Sequence, residues 1–92
     1  MIRGFRSKWL EQLYLSGTTA KIDGRFHERL LRCLDALAEA QSVSDMNIPG
    51  YKFHSLKGFS PTRYSVHING PWCVTFEFHE TDALSVDFEQ YH

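Results

Sequence analysis

The sequence predicts an α+β domain in which two N-terminal helices pack on one face of a mostly antiparallel sheet of four to five strands. Apolar residues recur at helical spacing before residue 41 and at every second position after residue 51. Short connections between the later apolar segments suit antiparallel neighbours. With 92 residues, 42% of them hydrophobic, the chain is expected to form one domain over residues 1–92.

Two helices are expected in the N-terminal half, after a short strand at residues 1–5. Ser7 is suited to cap the first helix and Gly17 to end it, while Asp23 is suited to cap the second. Each helix has an apolar stripe that we expect to be core: Trp9, Leu10, Leu13 and Tyr14 in the first, and Phe26, Leu30, Leu34 and Leu37 in the second.

Three later segments alternate apolar and polar residues and predict strands with one face on the helices and one open face. Their core-facing members are Tyr64, Val66 and Ile68, then Trp72, Val74, Phe76 and Phe78, then Leu84, Val86 and Phe88. A three-residue loop at residues 69–71 keeps both apolar faces together, whereas a two-residue turn would move Trp72 to the open face. We therefore expect three pairs: Ile68 with Trp72, Val66 with Val74, and His67 with Cys73.

The charge distribution along the chain limits the kinds of molecule that the protein is expected to bind. Residues 1–58 hold nine of the ten Lys and Arg and six of the eleven Asp and Glu, which gives +3, while residues 59–92 carry −4. Proteins that grip RNA by its backbone normally present a basic face, so the acidic second half favours a protein as the tightest partner. No segment reaches the roughly 18 apolar residues of a membrane span. The N-terminus lacks the apolar stretch of a signal peptide, and a cytoplasmic protein is expected.

Several side chains suited to proton transfer lie near the end of the alternating region. His54 and His92 supply imidazoles, Lys57 an ammonium group and Tyr91 a phenol. Such groups exchange protons near neutral pH. Phe88 precedes Tyr91 and His92 closely, and this aromatic crowding predicts a C-terminus docked on the sheet. Without more context, His54 would be interpreted as an ordinary surface histidine.

The two cysteines are candidate metal ligands. Cys33 and Cys73 are not at metal-ligand spacing and are expected to be reduced thiols, Cys33 as a buried apolar group. His67 and Cys73, with His54 or His92, form a conceivable zinc ligand set. The Cys-x-x-Cys and His-Glu-x-x-His spacings are missing, so we expect no metal and no other cofactor.

Three motifs together resemble the HigB branch of the RelE-like toxins. Residues 52–58 correspond to the family pattern Lys-Leu-His-x-Leu-Lys-Gly, and residues 90–92 to a final Asp-Tyr-His. Residues 64–76 correspond to Trp-Ser-Ile-x-Val-Asn-x-x-Trp-Arg-Ile-x-Phe. The resemblance implies the RelE-like fold and a type II toxin that cleaves mRNA on the ribosome without a metal. It also implies a HigA-like helix-turn-helix antitoxin as partner, with operator DNA contacted only through that antitoxin.

The resemblance also assigns roles to individual residues. It implies a catalytic set of His54, Lys57, Tyr91 and His92, and RNA contacts at Lys52, Arg63 and His67. Cys73 stands where the family has an arginine, and Gln90 where it has an aspartate. A thiol cannot replace a guanidinium that stabilises charge on a phosphate, so activity is expected to be weakened or lost. The alternative is a catalytically dead homologue that binds the antitoxin and acts as a co-repressor.

Overall fold

A computed structural model describes residues 1–90, and it confirms the predicted α+β class. The sheet is antiparallel in the order β1-β2-β3-β4. The helices and strands are α1 Lys8–Ser16, α2 His27–Glu39, β1 His54–Leu56, β2 Arg63–Asn69, β3 Trp72–His79 and β4 Asp82–Gln90. The helices share one core cluster with the sheet residues Val66, Val74, Phe76 and Val86, so both pack on the same sheet face.

Both ends of α1 form as the sequence predicts. The Ser7 hydroxyl accepts a hydrogen bond from the Leu10 N–H at 3.2 Å and caps the first turn. Gly17 adopts a left-handed φ of 80°, from which its N–H donates to the Leu13 carbonyl at 2.7 Å. A residue without a Cβ reaches this conformation at little cost, so the helix ends here.

The start of α2 differs in detail from the prediction. Asp23 accepts from the Arg25 N–H at 3.0 Å and caps a 3₁₀ turn at Gly24–Phe26, which then leads into the helix. The α2 residues Leu30, Cys33, Leu34 and Leu37 are buried, as their spacing predicts. Burial raises the pKa of the Cys33 thiol to about 12, so it stays protonated and packs as an apolar group.

The N-terminal segment lies beside β4 rather than forming a continuous strand. Ile2 and Phe5 make isolated parallel bridges with Ala83 and Val86. The Arg3 N–H donates to the Ala83 carbonyl at 2.8 Å, and the Val86 N–H donates to the Gly4 carbonyl at 3.0 Å. The predicted first strand is thus present as a short parallel contact that covers the β4 edge of the sheet.

The apolar residues of the β2–β3 hairpin face the helices as predicted, but a β-bulge rather than a three-residue loop produces this arrangement. Two of the predicted pairs are confirmed: Val66 with Val74, and His67 with Cys73. The pairing of Ile68 with Trp72 is wrong, because Asn69 pairs with Trp72 and the register shifts between His67 and Asn69. Ile68 is the extra residue of this bulge and stays buried, at 3% exposure. The predicted three-residue loop is also wrong, since Asn69 belongs to β2 and the turn spans two residues, Gly70 and Pro71.

A second bulge overturns the predicted orientation of Leu84. Glu77 pairs with Leu84 and Thr75 with Asp87, so Ser85 and Val86 together oppose one residue of β3. Ser85 has a φ of 49° at this point. Leu84 therefore shares a face with Glu77, away from the helices, while Ala83 and Val86 are fully buried.

Within residues 1–90, none of the helices has the length and apolar character needed to cross a bilayer.

Candidate active site on the open sheet face

The open face is the side of the sheet turned away from the helices. Residues paired directly across antiparallel strands project on the same side, so the register arranges its side chains in rows. The rows are Leu56, Arg63, Glu77 and Leu84, then His54, Ser65, Thr75 and Asp87, then His67, Cys73 and Glu89. Four residues that the sequence selects for function therefore share this face: His54, Arg63, His67 and Cys73.

His54 is exposed at the first position of edge strand β1. Its Nδ1 lies 2.9 Å from the Lys52 carbonyl oxygen, which can only accept a hydrogen bond. The Nδ1 atom must therefore carry the proton, and in the neutral ring Nε2 keeps a lone pair. This hydrogen bond selects the tautomer that can take up a proton at Nε2.

Lys52 and Lys57 flank β1 on either side of His54, and both are exposed. Lys52 has a φ of 47°, which turns the backbone so that its carbonyl meets the imidazole. Lys57 follows the last residue of β1, in a turn whose next residue, Gly58, has a φ of 86°. The β1 edge thus presents one imidazole and two ammonium groups to solvent.

Arg63 is held inside the protein. It is 3% exposed, and its Nη2 atom donates to the Thr75 hydroxyl at 3.0 Å and to the Ser85 carbonyl at 2.9 Å. Its Nη1 atom lies 3.3 Å from a Glu77 carboxylate oxygen. The Thr75 hydroxyl in turn donates to Glu89. We name this set, Arg63, Thr75, Glu77, Ser85 and Glu89, the Arg63 network; it links β2, β3 and β4.

Sequence reasoning missed the Arg63 network because its partners are distant along the chain. Thr75 lies 12 residues from Arg63 and Ser85 lies 22 residues away. The alternation of β3 does place Thr75 and Glu77 on the open face, and that was the available signal. Sequence reasoning also missed the Ser65 hydroxyl, which is buried in the His54 row without a hydrogen-bond partner among the described residues.

His67 is tied to the hairpin turn. Its Nε2 lies 2.9 Å from the Gly70 carbonyl, and its backbone N–H donates to the Tyr51 carbonyl at 2.6 Å. Its own carbonyl accepts from Arg29 at 2.8 Å. Although His67 pairs with Cys73, residues 1–90 contain no group of three His, Cys, Asp or Glu side chains arranged to hold a metal ion.

Cys73 occupies a buried position on the open face, at 6% exposure, with its Sγ atom 4.0 Å from the Pro71 carbonyl. It lies next to Glu89 in the register. A thiol here adds no fixed positive charge to a row that already contains a carboxylate. Among the described residues of the open face, Arg63 therefore stands against Glu77, Asp87 and Glu89, and the remaining cations lie at the β1 edge.

Tyr91 and His92, and with them the predicted docking of the C-terminus, lie outside the described residues. The last described residue, Gln90, ends β4 and pairs with Trp72 of β3. The backbone of the sheet is therefore paired up to the position where the family motif begins.

The sequence of the chain is similar to a known protein family and to two known HigB proteins. Residues 3–92 match a family described as the RelE-like toxin of the type II toxin–antitoxin system HigB. The chain is 32% identical to Endoribonuclease HigB of Proteus vulgaris over 92 residues, which cover 100% of both chains. It is also 32% identical to Toxin HigB-1 of Vibrio cholerae serotype O1 (strain ATCC 39315 / El Tor Inaba N16961) over 83 residues, 88% of this chain and 87% of that toxin.

These similarities define the class first: toxins with the RelE-like fold that act in type II toxin–antitoxin systems. Within that class, the chain belongs to the HigB-like toxin family. A toxin of this kind is paired with an antitoxin. The predicted family is thereby confirmed, whereas the roles assigned to individual site residues stay predictions.

Proposed function

We propose that this toxin is an endoribonuclease that cleaves mRNA on the ribosome. The name of the Proteus vulgaris relative supports cleavage of RNA. The observation that carries the proposal in this chain is the Nδ1 hydrogen bond of His54, which leaves Nε2 as a proton acceptor on an exposed edge strand.

In the proposed reaction, the ribose 2′-hydroxyl attacks the adjacent phosphorus while a base removes its proton. The bond to the 5′-oxygen breaks, and that oxygen receives a proton from an acid. We assign the base role to His54 and phosphate contact to Lys57 and Lys52, whose ammonium groups flank it. Tyr91 and His92 complete the set as proton donors, by their match to the final family motif. These steps require proton transfers and charge neutralisation, and we propose no metal step.

Arg63 and His67 take a different role from the RNA contacts expected from sequence. The Arg63 guanidinium bonds within its network through Nη1 and Nη2, and the His67 Nε2 atom bonds to the Gly70 carbonyl. We propose that they hold the hairpin in shape beneath the site. Arg63 does not replace the family arginine at Cys73, because its charge is already paired with Glu77.

The proposed partners follow from the family. They are a HigA-like helix-turn-helix antitoxin, the ribosome with its bound mRNA, and operator DNA reached through the antitoxin. The proposed location is the cytoplasm, where ribosomes and mRNA are found together.

The deciding experiment compares mRNA integrity with and without translation. The purified chain is added to a translating extract, and 5′ ends of a reporter mRNA are mapped by primer extension. New cleavage ends that appear in the translating extract, and disappear when ribosomes are omitted, are the expected result. Intact mRNA in both reactions, together with unimpaired growth on induction without the antitoxin, would contradict the proposal.

A second candidate function is favoured by one observation, the buried thiol of Cys73 beside Glu89. A site with a thiol in place of a guanidinium, next to a carboxylate, stabilises phosphate charge poorly. On this hypothesis the chain binds its antitoxin and strengthens operator repression without cleaving RNA. Repression of a promoter reporter by the pair, with no cleavage at any toxin concentration, would support it.

A further inference from the structure

The helix side of the molecule carries a groove that the proposed reaction does not use. We define the helix-side groove by six lining residues, Trp9, Lys21, Arg25, Phe26, Trp72 and Phe88. Its main cavity has a volume of about 370 Å³, and a second cavity of about 260 Å³ adjoins it. The two share Arg25, Phe26 and Trp72, so together they form one continuous groove.

Trp9 shows that this surface is not ordinary core. The helical spacing predicts it as a core residue, and that prediction is wrong, since its side chain is 38% exposed. The groove floor is apolar: Trp72 stacks on Phe88 at a centroid distance of 4.8 Å, and Phe26 meets Phe88 edge-on at 5.7 Å. An exposed tryptophan over an aromatic floor is typical of protein interaction sites.

Cations surround these rings. The ammonium groups of Lys8 and Lys21 lie 4.7 Å and 5.4 Å from the Trp9 ring centroid, and the Arg25 guanidinium lies 4.9 Å from the Phe26 ring. Asp23 also lines the groove and lies 3.4 Å from Arg25, which it partly neutralises. The lining cations Lys21 and Arg25, with Lys8 beside the Trp9 ring, outnumber the one carboxylate and attract a negatively charged ligand.

We propose that the helix-side groove is the docking site for an acidic segment of the antitoxin, with a large apolar side chain of that segment inserted against Trp72 and Phe88. The inference rests on the toxin–antitoxin part of the proposed function. Charge complementarity to the rim supplies the acidic character, and the aromatic floor selects the apolar anchor. Buried aromatic anchors within a polar rim are the usual energetic centre of a protein interface.

RNA fits the same surface less well. Binding of single strands relies on bases stacking on aromatic faces, and here cations already lie over the Trp9 and Phe26 rings. The Trp72 face is used by Phe88.

The test measures Kd between the intact toxin and the purified product of the reading frame adjacent to its gene, by calorimetry at physiological salt. Trp9→Ala removes the exposed ring, and the double variant Lys8→Glu with Lys21→Glu reverses the rim charge. Arg32→Glu is the matched control, because Arg32 is an exposed α2 cation, paired with Glu28, outside the groove. A thermal melt checks that each variant is folded, and a 20-nucleotide oligouridylate is titrated in parallel.

Each groove variant is expected to weaken antitoxin binding by about tenfold or more, and the control by less than about twofold. Both groove variants are expected to retain wild-type cleavage in the translating extract. Unchanged antitoxin affinity in both groove variants, no binding by the wild-type toxin, or a loss confined to oligouridylate binding would each overturn the proposal. Absence of mRNA cleavage with groove-dependent antitoxin binding would instead contradict the proposed nuclease and support the docking site.

Discussion

His54 and Arg63 lie on neighbouring strands and on the same face of the sheet, yet the protein treats them in opposite ways. His54 is exposed, and its Nδ1 atom is held by the Lys52 carbonyl. Arg63 is 3% exposed and bonds to Thr75, Glu77 and Ser85. Position on a candidate active face therefore does not make a polar residue available for chemistry.

The difference between the two residues separates reactivity from support. A group that must exchange protons needs an unoccupied lone pair at a solvent-accessible atom. A buried cation needs partners for its charge and its N–H groups, because an unpaired buried charge is strongly destabilising. The comparison leads to four expectations about which property, activity or stability, each substitution changes.

The largest expected effect is on activity at His54. His54→Ala should reduce mRNA cleavage in a translating extract by about 10²- to 10⁴-fold, because it removes the proposed proton acceptor. The thermal midpoint should change little, since the side chain is exposed. His79→Ala is the control, an exposed histidine at the end of β3. Equal losses in both variants would show that His54 has no special role.

Arg63→Ala should act mainly on stability. It leaves Glu77 without its partner and the Thr75 hydroxyl without a donor, and a loss of about 3 kcal/mol in unfolding free energy is expected. Urea denaturation measures it. Arg32→Ala removes an exposed ion pair with Glu28 and should cost less than about 1 kcal/mol. A fully stable Arg63→Ala protein would contradict the structural role of the Arg63 network.

Cys73→Arg tests whether the missing guanidinium limits the reaction. A restored phosphate donor should raise cleavage or toxicity by at least about tenfold. Cys73→Ser is the matched control, since it removes the thiol without adding charge. If Cys73→Arg gives no gain in a folded protein, the deficit lies elsewhere and the site is not otherwise intact.

The smallest effect concerns Asp45, which is exposed like His54 but bonded to the protein like Arg63. Its carboxylate accepts from the Gln41 and Ser42 N–H groups at 2.9 and 3.2 Å, and these bonds lower the pKa of that carboxyl. Its contribution to stability is therefore present above the ordinary aspartate pKa and is lost as the pH falls through the lowered value. Asp45→Asn should lower the melting temperature at pH 7 by at most about 4 °C. That difference should shrink as the pH falls below the ordinary aspartate range; a constant difference would exclude the ionised carboxylate as its cause.

The local features of the fold are those that the sequence predicts well. Ser7, Gly17 and the apolar stripe of α2 each act within a few residues, so their signals are local. The bulge in β4 could not be predicted, because Leu84, Val86 and Phe88 alternate without interruption. The interruption arises from pairing with β3, where the register shifts between Thr75 and Glu77.

The candidate site likewise contains residues that local sequence identifies and properties that depend on distant contacts. The family motif identifies His54 and Lys57 because their neighbours in sequence are part of the pattern. The burial of Arg63 depends on partners from two other strands, and the exposure of Trp9 depends on where the loop carrying Lys21 runs. Both properties belong to the folded chain and have no counterpart in local periodicity.

Because the N-terminal segment pairs with β4, the first residues to be synthesised contact some of the last. Met1 donates its amino hydrogen bond to the Thr81 carbonyl at 2.9 Å, a contact 80 residues away along the chain. Ile2 and Phe5 likewise form their bridges only once Ala83 and Val86 are present. Contacts this distant in sequence form late and slowly. A nascent chain that still lacks β4 therefore leaves its N-terminal segment unpaired, and its core lacks Ala83 and Val86.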